Sequence, residues 1–240
     1  MRRPLRSTCR RLCGAVGGGA GAPPKAPRGL GRLLLLVTLA GALACFEPMV
    51  PDHNPTYPFA DQFGDVFHWP ANRLPVRFYA EPRGNLRALL TAAVDAWQRQ
   101  FLYGEFSGTI VDDSTAADVI VRWADSVPPD VPPDNGPAVK ACGGVTQGVL
   151  DSSGTAFAGP FETQIQILTG TVFTAGQVQA CVARTTIHEM GHALGLLQES
   201  PDSLRDIMAT TPKVNQPSDG DRRTVEALYH TLPTIGPPPR

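Results

Sequence analysis

The sequence predicts an α+β domain, with strands and one early helix followed by two further helices. Three observations carry that expectation. Residues 74–80 alternate apolar and polar side chains with the two-residue period of a strand. Leu86, Leu89, Leu90, Ala93, Val94, Trp97 and Phe101 recur at helical spacing. From Thr174 onward two helix starts follow one another with no strand pattern between them.

In chain order, the first strand turns Val76, Phe78 and Ala80 to one face and Arg77 and Tyr79 to the other. Asn85 is placed to cap the first helix, an amphipathic core helix without chemistry of its own. Residues 108–111 and 118–123 read as strands, and the Pro-, Asp- and Gly-rich run 128–137 must be a loop. Its acids could bind calcium, but their spacing is not that of a calcium loop, so a solvated loop is expected. Residues 145–150 and 163–168 complete a set of about five strands. Thr174-Ala175-Gly176-Gln177 is a capping box that opens a helix running to about Leu194. A last helix begins near Ser218-Asp219-Gly220-Asp221, its acids favoured by the helix dipole, and ends near Leu228-Tyr229-His230.

The chain has 240 residues, 42% hydrophobic and 18% charged, which fits one soluble globular domain with processed or flexible ends. A net charge of −1 gives no footing for nucleic acid or an anionic surface, and no internal repeat is visible. The charge is uneven. Arg2, Arg3, Arg6, Arg10, Arg11, Lys25, Arg28 and Arg32 precede any acid, and the apolar run 33–44 follows. That run is too short to span a bilayer as an ordinary helix and reads as an export signal with a long basic start, residues 1–44. Ala42-Leu43-Ala44-Cys45 resembles a bacterial lipobox, which makes Cys45 the lipidated N-terminus; Ala42-x-Ala44 also suits ordinary signal peptidase at the same bond. The protein is therefore expected to be exported, and either lipid-anchored at the cell envelope or secreted. Cys142 and Cys181 then remain, and an even pair in an oxidising compartment suggests one disulfide, with two free buried thiols as the alternative. Residues 45–64 read as a tether, 65–232 as the folded domain and 233–240 as a Pro-rich tail.

The chemistry is concentrated in His188-Glu189-Met190-Gly191-His192. Histidines at i and i+4 project from one helix face about a turn apart, so their nitrogens can converge on one metal ion. Glu189 is adjacent on the helix wheel and can reach a water bound there. A merely solvated helix face is the other reading, but Met190, Ala193, Leu194, Leu196 and Leu197 surround the pair with apolar side chains. Cys181 lies two turns back, about 10.5 Å along the axis, too far to share the ion. His53, His68 and His230 have no ligand spacing.

The pattern His188-Glu189-x-x-His192-x-x-Gly195 resembles the metzincin clan of zinc peptidases, and Ala193-Leu194-Gly195-Leu196 resembles its matrixin family. Asp206-Ile207-Met208 resembles the clan's Met-turn, and Ser218-x-x-Asp221 with Leu228-Tyr229 resembles the matrixin C-terminal helix. The resemblance covers about residues 72–230. It implies a catalytic domain with a mixed sheet, an early helix, an active-site helix and a C-terminal helix. It also implies that Gly195 turns the chain back after the helix and that Met208 underlies the metal. The clan's third ligand, three residues past the glycine, is usually His, whereas this chain has Gln198. Register favours Gln198. Glu199 takes its place if the loop shifts by one residue, because neighbouring side chains of an extended chain point opposite ways.

The implied activity is hydrolysis of peptide bonds in proteins by one catalytic zinc, with Glu189 as general base. Substrate would lie extended along an edge strand, within 145–150. A protein or peptide substrate is the expected partner, membrane contact only through a lipid at Cys45, and the chain is expected to be a monomer. The alternative is a surface lipoprotein of the same fold that has lost catalysis and binds a partner through the old cleft. Gln198 sustains that alternative, and retention of Glu189 weighs against it.

Overall fold

The chain divides into two units, Met1–Val50 and Pro51–Arg240. The computed structural model describes residues 54–124, 141–168 and 173–240, all in the second. The export signal, Cys45 and the acidic loop 128–137 lie outside the described residues.

Five strands form one mixed sheet: β1 (Val76–Ala80), β2 (Gly108–Val111), β3 (Val119–Trp123), β4 (Cys142–Gln147) and β5 (Phe161–Ile167). The order across the sheet is β2-β1-β3-β5-β4. The first four strands in that order run parallel to one another, and β4 runs antiparallel to β5 at the edge. Among the described residues three α-helices accompany it: α1 (Leu86–Gln98), α2 (Ala175–Ala193) and α3 (Asp219–Tyr229). α1 packs against β1, β2 and β3, α2 against β4 and β5, and the two helices touch each other. The fold is α+β, as the order of patterns predicts.

Packing follows the sequence periods. β1 buries Val76, Phe78 and Ala80 on alternate positions. Opposite them, α1 buries Leu86, Leu90, Ala93, Val94 and Trp97 along one stripe. Each large side chain so removed from water contributes about 1.5–3 kcal/mol. Elsewhere in the core, Phe67, Trp69, Phe157 and Phe161 pack edge to face or tilted.

Several boundaries differ from the sequence reading. β4 starts at Cys142 rather than at 145, because Gly143 and Gly144 belong to the strand. Glycine in a strand interior marks close approach by another element, and here that element is α2. Asn85 makes no side-chain cap on α1, and that helix closes at Gln98, where Gln100 and Phe101 donate to Trp97 and Gln98 in tighter turns. The tether expected over 45–64 is part of the fold from residue 54. Tyr57 is 3% exposed, and the Leu197 amide donates to the Phe59 carbonyl at 3.0 Å. The expected tail is also packed: Ile235 is buried, Gly236 pairs with Ala156, and the Arg240 guanidinium donates to both oxygens of Asp118. Proline-rich chain lacks amide donors but keeps its carbonyls and occasional apolar side chains. That suffices to dock it where composition alone reads a loose end.

Candidate metal centre

α2 opens with the expected capping box, Thr174 and Gln177 each accepting the other's backbone amide. It carries His188 and His192 at its far end, one turn apart. The helix is held there by two indoles: Trp97 donates to the Ile187 carbonyl at 2.7 Å and Trp69 to the Ala193 carbonyl at 2.8 Å.

Gly195 then ends the run. The Gly195 amide donates to His192 and the Leu196 amide to Gly191, the pairing of a Schellman turn. Gly195 has φ +108°, and a Cβ there would sit 1.9 Å from the Phe67 carbonyl oxygen, so only glycine fits.

Backbone carbonyls fix both imidazoles. His188 Nδ1 is 2.8 Å from the Ile207 carbonyl and His192 Nδ1 is 2.6 Å from the Leu196 carbonyl. A carbonyl only accepts, so Nδ1 carries the proton in each ring and Nε2 is directed to the common point. The two Nε2 atoms are 3.1 Å apart. The third group is Glu199, whose Oε1 lies 3.4 Å from His188 Nε2 and 3.5 Å from His192 Nε2. Two imidazoles and a carboxylate therefore converge as a set able to hold a metal ion. Tetrahedral zinc with bonds of about 2.0–2.2 Å spaces its ligand atoms by roughly 3.3–3.6 Å; both distances to Glu199 fall in that range, and the Nε2 pair, at 3.1 Å, is slightly closer.

Glu199 thus stands where register favours Gln198. The Leu197 amide is anchored on Phe59 and the Ser200 amide on Met208. The chain bends at Gln198 between those anchors, which aims the next side chain at the histidines.

His188 and Glu199 shift each other's protonation. Burial opposes charge on His188, but its hydrogen bond to Glu199 and the charges of Glu189 and Glu199 raise it to about 9. Burial would raise Glu199, but the two imidazoles beside it lower it to about 2. Glu199 is 41% exposed, so the centre opens to solvent on that side.

Glu189 is 4% exposed and turns toward β4, where its Oε2 accepts from Thr146 Oγ1 at 2.9 Å. Met208 lies fully buried beneath the helix; a Cβ on Gly191 would meet its Sδ at 2.2 Å. The turn carrying Met208 is held by Asp221, which accepts from the amides of Ile207, Met208 and Ser218 and from the Tyr57 hydroxyl. Burial raises Asp221 above the ordinary carboxylate range. The Ile207 carbonyl in turn orients His188, so Asp221 supports that imidazole from one step away.

Cys142 and Cys181 form a disulfide that ties β4 to α2. His68 and His230 lie elsewhere, beside Thr231 and Glu105 respectively, and His53 is outside the described residues. Sequence reasoning missed Thr146, Gly144 and Gly191. The paired glycines of β4 were the available signal for close approach.

No protein-family model matches the chain, and no curated protein matches it. Among solved structures it matches high choriolytic enzyme 1, a hatching enzyme zinc-protease from the medaka fish Oryzias latipes. That match has 13% identity and a TM-score of 0.38, and covers 70% of this chain and 96% of the other. A likeness at that level leaves the function to be argued from the site.

Proposed function

We propose that the protein is a zinc-dependent endopeptidase of the metzincin type, with the matrixin-like features of its sequence. The observation that carries this is the convergence of His188 Nε2, His192 Nε2 and Glu199 Oε1 within 3.1–3.5 Å of one another, with Glu189 next to His188 on the same helix. Two imidazoles and one carboxylate, with a solvent-facing side, are the donor set of a catalytic rather than a closed structural zinc site. Zinc held there supplies Lewis acidity toward a scissile carbonyl and acidity to water.

The chain's own residues supply the rest. Ile207 and Leu196 carbonyls keep Nε2 of both rings directed to the point they share, where zinc would be held. Glu189 takes the proton of the attacking water and passes it to the leaving amine. β4 is the sheet's antiparallel edge, and an extended substrate paired on its outer side would be held by backbone hydrogen bonds. The substrate would be protein or peptide, and the enzyme a monomer. Export, with lipid at Cys45 or cleavage before it, is part of the same proposal and is supported by the basic and apolar run of residues 1–44.

The inactive binding module rested on a neutral third ligand. A carboxylate at that place weighs against it.

Casein digestion by the purified protein, beside a Glu189→Ala variant, tests the proposal. Cleavage by the wild type alone is expected. Zinc-loaded wild type that leaves casein intact, or equal cleavage by both forms, overturns it.

A further inference from the structure

We infer that β4 carries the positioning residues for the Glu189 base: Thr146 holds one carboxylate oxygen, and Gly144 leaves the space that the side chain occupies. The inference rests on the peptidase reading. Gly144 and Thr146 are two residues apart on β4 and so share the face turned to α2.

Thr146 Oγ1 has one proton and three oxygens within reach. These are Glu189 Oε2 at 2.9 Å, the Glu189 carbonyl at 3.1 Å and Thr163 Oγ1 at 2.9 Å. The carboxylate is the strongest acceptor of the three. Thr163, fully buried and directly opposite on β5, then donates in turn to Thr146. A hydroxyl chain runs Thr163 to Thr146 to Glu189 and ends on the base. Valine would fill both strand positions as well, so neither hydroxyl is needed by the sheet itself.

Gly144 is the complementary half. A Cβ there would lie 2.7 Å from Glu189 Oε1, 2.8 Å from its Cγ and 2.6 Å from Thr185 Cγ2. Any other residue pushes the Glu189 side chain out of its place. With Oε2 tied to Thr146, the carboxylate is held against rotation. The strand proposed to align the substrate by its outer edge thereby also aligns the base by its face. Residues that orient a catalytic group from one step away typically contribute about 10–100-fold in activity.

The test compares full-length wild type, Thr146→Val and Thr146→Ser for zinc content and for kcat and KM on labelled casein. Thr146→Val is expected to keep one zinc per chain and an unchanged KM while kcat falls roughly 10–100-fold; Thr146→Ser restores most of it. Should the valine variant not fold, Thr146→Ala carries the same comparison. A second readout needs neither metal nor activity: the 13C resonance of the Glu189 carboxyl, assigned with Glu189→Gln, moves in Thr146→Val and stays in Thr146→Ser. Wild-type activity with an undiminished kcat in Thr146→Val, or an unmoved resonance, overturns the inference and leaves the peptidase reading standing. A zinc-loaded wild type without activity removes that reading, and the inference with it.

Discussion

Replacing Gly195 with alanine should damage both stability and the metal centre. The residue has φ +108°, and the added Cβ would lie 1.9 Å from the Phe67 carbonyl oxygen, 2.9 Å from its carbon and 3.3 Å from Leu228 Cδ2. The positive φ costs about 1–2 kcal/mol for an L side chain. Relief of the overlap costs about 1–3 kcal/mol more, because Phe67 is fully buried among Trp69, Phe157 and Phe161. The sum is about 2–5 kcal/mol, a large part of a domain stability of about 5–15 kcal/mol. The same shift moves the Leu196 carbonyl that orients His192, so zinc affinity should fall about 10–100-fold. Gly104→Ala is the control, since Gly104 has φ +73° and nothing within 4 Å of the added Cβ. It should carry the backbone term alone and leave zinc binding intact. The assays are urea unfolding and competition with a zinc chelator. Equal urea midpoints for the two variants, or wild-type zinc affinity in Gly195→Ala, would refute the steric argument.

Three further outcomes are expected. Burial would raise Asp118, but Arg77 and Arg240 hold its carboxyl below the ordinary value, so its folded pKa lies below its unfolded one. The stability it adds is present above about pH 3.9 and is lost as pH falls through the lower folded value; Asp118→Asn should lower the urea midpoint at neutral pH and flatten the acid limb. Reducing the Cys142–Cys181 bond, which spans 39 residues, should destabilise the fold by about 2–4 kcal/mol in unfolding curves with and without reductant. Asp221→Asn replaces an acceptor oxygen by a donor facing buried amides; a loss of about 2–4 kcal/mol and weaker zinc retention are expected by unfolding and metal analysis.

The helical histidine pair was legible because His188 and His192 state their geometry in their spacing, and Gly195 marks a helix end by the conformation only glycine adopts. The capping box at Thr174 and the helix start near Ser218 were legible for the same local reason. Glu199 was not settled, because the bend at Gln198 is imposed by Phe59 and Met208, partners remote in sequence. Thr146 and Gly144 were hidden because their role is contact with Glu189 across an element boundary. Tyr57 and Arg240 were read as loose chain from their Pro-rich surroundings, yet each pairs with a buried carboxylate, Asp221 and Asp118 respectively. Local rules fix helices and turns; which loose-looking segments dock is decided by tertiary partners.

The central claim is that His188, His192 and Glu199 hold a catalytic zinc. The most direct measurement is zinc per chain in protein purified without added metal, for wild type, Glu199→Ala and Gln198→Ala. One zinc per chain in wild type and Gln198→Ala, with loss in Glu199→Ala, is the predicted result. Zinc well below one per chain in folded wild type, or loss in Gln198→Ala alone, would contradict it.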